Sequence, residues 1–341
     1  MDTALLAKTA AAMVAKGKGL LAADESSGTC EKRFQSVKVE CTEENRRAYR
    51  NLLFTTPGVE QYISGVILFD ETARQKANDG TLFPQYLARK GIIPGIKVDK
   101  GLADIPLAPK GEKVSEGLDG LAKRLDEYFK MGCRFAKWRS VITIGEGIPT
   151  HTCIYANAHV LARYAAACQA ASIVPIIEPE VLLDGEHTAE RSEEVHEATL
   201  RAVYAALAAY NVQVEYLILK TSMVVSGKDN PRQAGVDEVA ERTVRVLKHT
   251  VPAAQPGVVF LSGGQSDEAA TAHLSAMAAM KNLPWPLTFS YSRALQNPAL
   301  NTWRGQAGNI GAAQKAFHHR AQMNSLACQG KWRPELERQA A

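Results

Sequence analysis

A single-domain α/β barrel, the (β/α)8 arrangement of eight parallel strands each followed by a helix, is the fold that the 341-residue sequence predicts. Three observations lead there. Short apolar runs alternate with longer helical patterns, and there are eight such runs. Their starts fall roughly 30 to 45 residues apart, the length of one strand–helix unit in such a barrel. Each run carries a polar or charged residue at or next to its end, where barrels of this kind collect their chemistry.

The strands are expected at "GLLAAD" (19–24), "ISGVILFD" (63–70), "IIPGIKVD" (92–99), "CRFAKWR" (133–139), "IVPIIEPE" (173–180), "EYLILK" (215–220), "GVVFLSG" (257–263) and "LTFSYS" (287–292). Their near-continuous apolar character suits parallel strands covered on both faces. A helix over residues 1–17 precedes them, stopped by Gly17 and Gly19. "TEENRRAYRNLLF" offers Thr42 as an N-cap with acids in the first turn. "LDGLAKRLDEYFKMG" places Leu118, Leu121, Leu125 and Phe129 on one face and ends at Gly132. Four later segments are helical in the same way, and a tail is expected from about 321 to 341. No Pro-, Gly- or Ser-rich linker divides the chain, so one domain spans 1–341. A doubly wound open sheet uses the same units, but it calls for a Gly-rich fingerprint after the first strand, and "AADESSGT" is not one.

Composition narrows the function classes. The 40 basic and 36 acidic residues are well mixed and leave a net charge of +4, with no long basic run to suit nucleic acid or a membrane surface. A mild positive excess suits an anionic small molecule. No apolar run reaches membrane-spanning length, and the first residues lack a signal-peptide core. The six scattered cysteines form no CxxC pair and suit reduced thiols, so a cytoplasmic location is expected. The histidines contain no HExxH, and their spacing argues against a catalytic metal.

Read in order, the strand ends are Asp24, Asp70, Lys97, Lys137 with Arg139, Glu178 with Glu180, Lys220, Ser262, and Ser290 with Arg293. Any one of them could simply mark the solvent boundary; together they point to a pocket. Three are lysines behind apolar strands, where an ammonium without a partner is costly. An amine in such a place, crowded by other cations, loses its proton more readily and can attack a carbonyl. Lys137 and Arg139 are expected to supply that crowding for Lys220, although these residues alone leave three candidate amines. Glu178 and Glu180, two apart across Pro179, can divide the work between ion pairing and proton transfer. "LSGGQS" offers the amides of Gly263 and Gly264 before a helix start, and "FSYSR" adds Arg293. Loops after the last two strands are the usual phosphate site of this barrel. Lys32 and Arg33, after the first strand, are placed to meet a second phosphate.

The motifs "LAADES", "TEENRRAYR", "GIKVDKG", "FAKWR", "EPE", "YLILK", "FLSGGQS" and "FSYSRALQNPALNTWRG" closely resemble those of class I fructose-bisphosphate aldolases, in the family's order from about residue 18 to 320. The resemblance implies a TIM barrel that needs no metal or other cofactor, because a covalent imine on Lys220 does the work. It implies Glu178 as general acid/base, Asp24 as the carboxylate assisting cleavage, and Lys137 beside the imine, with Arg139 and Glu180 setting the local charge. It further implies Ser262, Gly263, Gly264, Ser290 and Arg293 around one phosphate of a sugar bisphosphate, and Ser26, Arg33, Lys97 and Arg46 around the other. A homotetramer in glycolysis and gluconeogenesis is implied as well. Three departures stand out: Thr29 and Ser292 replace a serine and a glycine of many members, and no tyrosine follows Tyr291. Another lysine-imine barrel enzyme, of transaldolase or deoxyribose-phosphate aldolase type, lacks the two-phosphate residue set. A scaffold that had lost catalysis would be expected to lose Lys220, Glu178, Asp24 or Lys137 first.

Overall fold

In a computed structural model describing residues 1–338, eight parallel strands close into a barrel. The ten strands in chain order are β1 (Gly19–Ala23), β2 (Ile63–Leu68), β3 (Ile93–Lys97), β4 (Leu102–Asp104), β5 (Lys113–Ser115), β6 (Phe135–Ile142), β7 (Val174–Val181), β8 (Ile218–Thr221), β9 (Val258–Phe260) and β10 (Leu287–Tyr291). The barrel runs β1-β10-β9-β8-β7-β6-β3-β2, and all eight expected strands are in it. The sequence reading missed β4 and β5, an antiparallel hairpin inserted after β3. Its strands are only three residues long and mix Leu102, Ala103 and Val114 with Asp104, Lys113 and Ser115, so they carry no apolar run to announce it.

Boundaries differ where side chains take over from the ladder. The run expected as a strand from 215 begins as a 3-10 turn, Val214–Tyr216, and β8 starts only at Ile218. The strand expected at 257–263 stops at Phe260, leaving Ser262 and Gly263 in a loop. β7 runs straight through Pro175 and Pro179. Val174 and Leu182 donate their amides to Arg134 and Ile142 on the β6 side, so the odd-numbered amides of β7 face β8. Both missing N–H groups therefore fall on that edge, where the register pairs are Ile176↔Ile218 and Ile177↔Leu219. Beyond them the Ser222 hydroxyl accepts the Val181 N–H at 3.1 Å.

Strand parity sorts the interior. Phe135 and Ile176 point into the barrel, whereas Trp138 points out against Tyr164, 5.4 Å between rings. The inner floor is apolar: Leu20, Ile67, Phe135, Ile176, Ile218 and Val259, closed from below by Leu6, Ala10 and Met13 of helix Thr3–Met13. The Phe135 ring needs its neighbours small, since a Cβ on Gly95 would sit 2.2 Å from it. The same parity that buries Phe135 and Ile176 carries Lys137 and Glu178 inward one step higher, onto a floor sealed from water.

Helix starts follow the expected caps. Thr42 accepts from the Asn45 amide at 3.1 Å ahead of helix Glu43–Phe54. The helix expected from Leu118 begins at Leu121, because Gly120 adopts a left-handed φ of 67°. Position 321 falls inside helix Ile310–Ala327, and a short helix, Pro334–Glu337, follows. Among the described residues no helix is long and apolar enough to cross a membrane.

Candidate active site

Four charged side chains meet above the apolar floor. Lys137 Nζ lies 2.6 Å from Asp24 Oδ2 and 3.1 Å from Glu178 Oε2, and Lys220 Nζ lies 3.0 Å from Glu178 Oε1. All four residues are buried, with Lys220 at 4% exposure and Glu178 at 3%. The order is carboxylate, ammonium, carboxylate, ammonium, so the cluster is neutral overall, the condition for burying charge at tolerable cost. Each oxygen of Glu178 thus faces a different ammonium, Oε2 that of Lys137 and Oε1 that of Lys220.

Here the structure corrects the cation-crowding expectation. Lys137 is committed to Asp24 and Glu178, and Arg139 is ion-paired with Glu180, so neither stands as bare positive charge against Lys220. The counter-ion beside Lys220 is the Glu178 carboxylate at 3.0 Å.

Titration follows from this interleaving. Burial by itself raises the Asp24 carboxyl, but the Lys137 and Lys220 charges outweigh it and hold it well below its ordinary 3.8. Glu178 is likewise lowered: burial opposes ionisation, and Lys137, Lys220 and Arg139 overcome it. Lys137 is raised, since Asp24 and Glu178 outweigh the burial that disfavours its charge. A depressed carboxyl stabilises the fold fully above its unfolded value and loses that contribution as pH falls towards the folded one. Asp24→Asn is therefore expected to cost about 3 kcal/mol at neutral pH. It should also flatten the decline of melting temperature below the ordinary 3.8 of the aspartate. Calorimetry of both proteins across pH 2–7 checks it; an acid limb that is unchanged would exclude Asp24 as its source.

A second buried assembly flanks the first and was not anticipated. The Glu25 side chain is 4% exposed and pairs with Arg50, itself 2% exposed, at 2.6 Å, and with Arg33. Glu25 Oε1 also accepts from Ser292 Oγ at 2.6 Å and from Gln296 Nε2 at 3.0 Å. Its carboxyl is lowered: burial raises it, and the Arg50 and Arg33 charges prevail. The signal available in sequence was the acid directly after Asp24; its partners lie 25 and 267 residues away.

The loops after β9 and β10 converge as expected. Gly263 and Gly264 have φ of 60° and 94°, conformations that favour glycine. A Cβ on Gly264 would stand 3.4 Å from Arg293 Nη2. Ser266 caps helix Asp267–Ala279 through the Ala269 amide at 3.1 Å. Ser262 is buried beside this turn. Ser290 is 1% exposed, and among the described residues its hydroxyl has no partner. Ser290 lies on β10, three residues before Arg293, and the glycine turn beside Arg293 offers backbone amides that suit an anion.

The mouth is a cavity of about 700 Å³ whose lining includes Lys32, Arg33, Arg139 and Arg293. A larger groove of about 1030 Å³, along helix Ile310–Ala327, shares Asp267 with it and holds none of the sequence-predicted site residues. Ser26 precedes helix Ser27–Ser36, its hydroxyl 3.2 Å from Thr29 Oγ1. Lys97 adjoins the cluster but is tied to Asp99 at 2.6 Å, an acid two residues on that was overlooked. Arg46 is not brought to the mouth. Its guanidinium is bidentate to Glu71 at 2.6 and 2.8 Å and also donates to the Cys41 carbonyl.

Behind the β7–β8 gap, His196 fixes Ser222. Its Nδ1 donates to the Ser192 carbonyl at 2.7 Å, so Nε2 accepts from the Ser222 hydroxyl at 2.9 Å. Burial lowers the His196 imidazole to about 4, which keeps it neutral near pH 7. The pairing that Pro179 denies to the strands is thus replaced by a side chain within two residues of Lys220.

A closed barrel with amines and carboxylates interleaved on its floor and an anion cradle at its rim defines an enzyme of lysine-dependent carbonyl chemistry. The family model described as Fructose-bisphosphate aldolase class-I matches residues 5–341. A probable fructose-bisphosphate aldolase class 1 of Xanthomonas campestris is 59% identical, covering 98% of this chain and 100% of that protein. A fructose-bisphosphate aldolase of Dictyostelium discoideum is 51% identical, covering 97% and 93%. The Plasmodium falciparum enzyme, solved in complex with TRAP and a small-molecule inhibitor, superposes with a TM-score of 0.95 at 49% identity, covering 97% and 95%. The chain belongs to the class I fructose-bisphosphate aldolase family. It is a carbon–carbon lyase that reversibly cleaves fructose 1,6-bisphosphate to dihydroxyacetone phosphate and glyceraldehyde 3-phosphate through a lysine Schiff base, the metal-independent chemistry of class I.

Proposed function

We propose that Lys220 is the amine that forms the imine, and the observation that carries this is Glu178 held within 3.1 Å of both Lys220 and Lys137. Glu178 enters the cycle ionised, takes the Lys220 proton, and frees the amine to attack the keto carbon. The same proton, returned to the carbinolamine hydroxyl, lets it leave as water. The protonated imine then draws in the electron pair of the bond between the third and fourth carbons. Asp24 accepts the proton of the fourth-carbon hydroxyl, and the aldehyde departs. Lys137, between Asp24 and Glu178, keeps both carboxylates ionised and steadies the imine as it forms. Arg139 and Glu180 balance charge above it.

Ser262, Gly263, Gly264, Ser290 and Arg293 hold the dihydroxyacetone phosphate end in this reading, supported by the glycine turn beside Arg293. Ser26, Arg33 and Lys97 take the other phosphate; Arg46, committed to Glu71, has no part in this reading. Two anchored ends fix the scissile bond over the carboxylates, which is catalysis by positioning. The assembly we infer is a homotetramer, which light scattering would weigh. The location we infer is the cytoplasm, in keeping with six unpaired cysteines, and fractionation would test it.

Borohydride reduction in the presence of dihydroxyacetone phosphate tests the assignment. Peptide mapping is expected to find the adduct on Lys220, with activity indifferent to EDTA. An adduct on Lys137 or Lys97 would overturn it.

A further inference from the structure

Ser292 stands immediately before helix Arg293–Trp303, where a serine hydroxyl ordinarily caps the free amides of the first turn. It makes no such cap. Its Oγ instead donates to Glu25 Oε1 at 2.6 Å and accepts from Arg33 Nη1 at 3.0 Å and Gln296 Nε2 at 3.1 Å. Glu25 receives the same Arg33 nitrogen, so Nη1 is held by two acceptors at once. Glu25 is itself anchored from behind by buried Arg50 and Gln296.

The other edge of the guanidinium is treated differently. Among the described residues no acceptor meets Arg33 Nη2 or Nε, and Arg33 lines the cavity at the mouth. One edge is fixed to the protein and the other is left to a ligand. A long side chain fixed in this way has less rotamer freedom to lose when it binds an anion.

We infer that Ser292 is a positioning residue that, through Arg33, sets the preference of this enzyme for a substrate with two phosphates over one with a single phosphate. The inference rests on the reading of Arg33 at the second phosphate. Fructose 1-phosphate lacks that group and so does not draw on Arg33, whereas fructose 1,6-bisphosphate does. The Ser292 hydroxyl touches neither the reacting atoms nor the imine, and its effect belongs in relative KM.

The test compares kcat and KM for both sugars in the wild type, Ser292→Ala, Ser292→Thr, Arg33→Ala and the double variant, each checked for folding by circular dichroism. Ser292→Ala is expected to lower the ratio of bisphosphate to monophosphate kcat/KM about five- to tenfold, through the KM of the bisphosphate. Ser292→Thr, which keeps a hydroxyl, is expected to restore the ratio. Arg33→Ala is expected to lower it further, and adding Ser292→Ala to that variant should change nothing more, since the hydroxyl then has no guanidinium to hold. Additive losses in the double variant, equal losses on both sugars, or an unchanged or increased ratio in Ser292→Ala would overturn the inference. If Arg33→Ala shifts the ratio and Ser292→Ala does not, only the inference fails. If Arg33→Ala itself leaves the ratio untouched, the assignment of Arg33 fails and the inference with it.

Discussion

Lys220→Met is expected to lower kcat for fructose 1,6-bisphosphate by about 10⁴-fold or more while leaving a folded barrel. The size of the loss follows from the role: without the amine there is no imine, and the electron pair of the breaking bond has no acceptor. Retention of the fold follows from the geometry. Lys220 is buried at the upper end of β8 and pairs with Glu178, while Glu178 keeps Lys137 as a second partner at 3.1 Å. Replacing one ammonium by an unbranched apolar side chain therefore leaves no carboxylate without a cation beside it. Turnover and borohydride trapping measure the effect together. Residual cleavage above one part in a hundred, or an adduct formed at Lys137 in the variant, would show that a neighbouring lysine does the chemistry.

Glu178→Gln is expected to cost about 10²- to 10⁴-fold in kcat and, unlike the lysine variant, to weaken the fold by about 3 to 5 kcal/mol. The amide occupies nearly the same volume but can neither take the Lys220 proton nor neutralise an ammonium. Lys137 still has Asp24 at 2.6 Å, whereas Lys220 loses the carboxylate beside it at 4% exposure. Steady-state kinetics and urea denaturation read the two losses separately. Near-normal turnover would mean that water or Asp24 moves these protons. Unchanged stability would mean that the buried cations do not depend on Glu178.

Much of the site was legible because strand periodicity is a local property. An apolar run with a charge at its upper end implies a strand whose inward residues change from hydrocarbon to ion, and Lys137, Glu178 and Lys220 follow that rule. The left-handed glycines of "SGGQS" and the cap at Ser266 were legible for the same reason, since a turn and a helix start are determined by adjacent residues. The family resemblance then distinguished Lys220 from Lys97 and Lys137, which periodicity alone could not do.

What remained hidden depends on partners far apart in the chain. Arg46 reads as one more basic residue until helix packing sets it against Glu71, 25 residues on, and Glu25 gives no sign of Ser292, 267 residues away. The proline in "EPE" looks like an interruption; its missing N–H faces β8, where the ladder gives way to the Ser222 hydroxyl accepting the Val181 N–H. Taken alone, the sequence determined the number of barrel strands, their inward faces and the residues available for imine chemistry, because each follows from spacing along one segment. Only the tertiary structure decided how the charges alternate, that Glu178 and not Arg139 is the neighbour of Lys220, and that Ser292 is bonded to Glu25 and Arg33. Coulombic energies and hydrogen bonds act over a few ångströms, and folding brings into that range residues whose separation in sequence carries no trace of it.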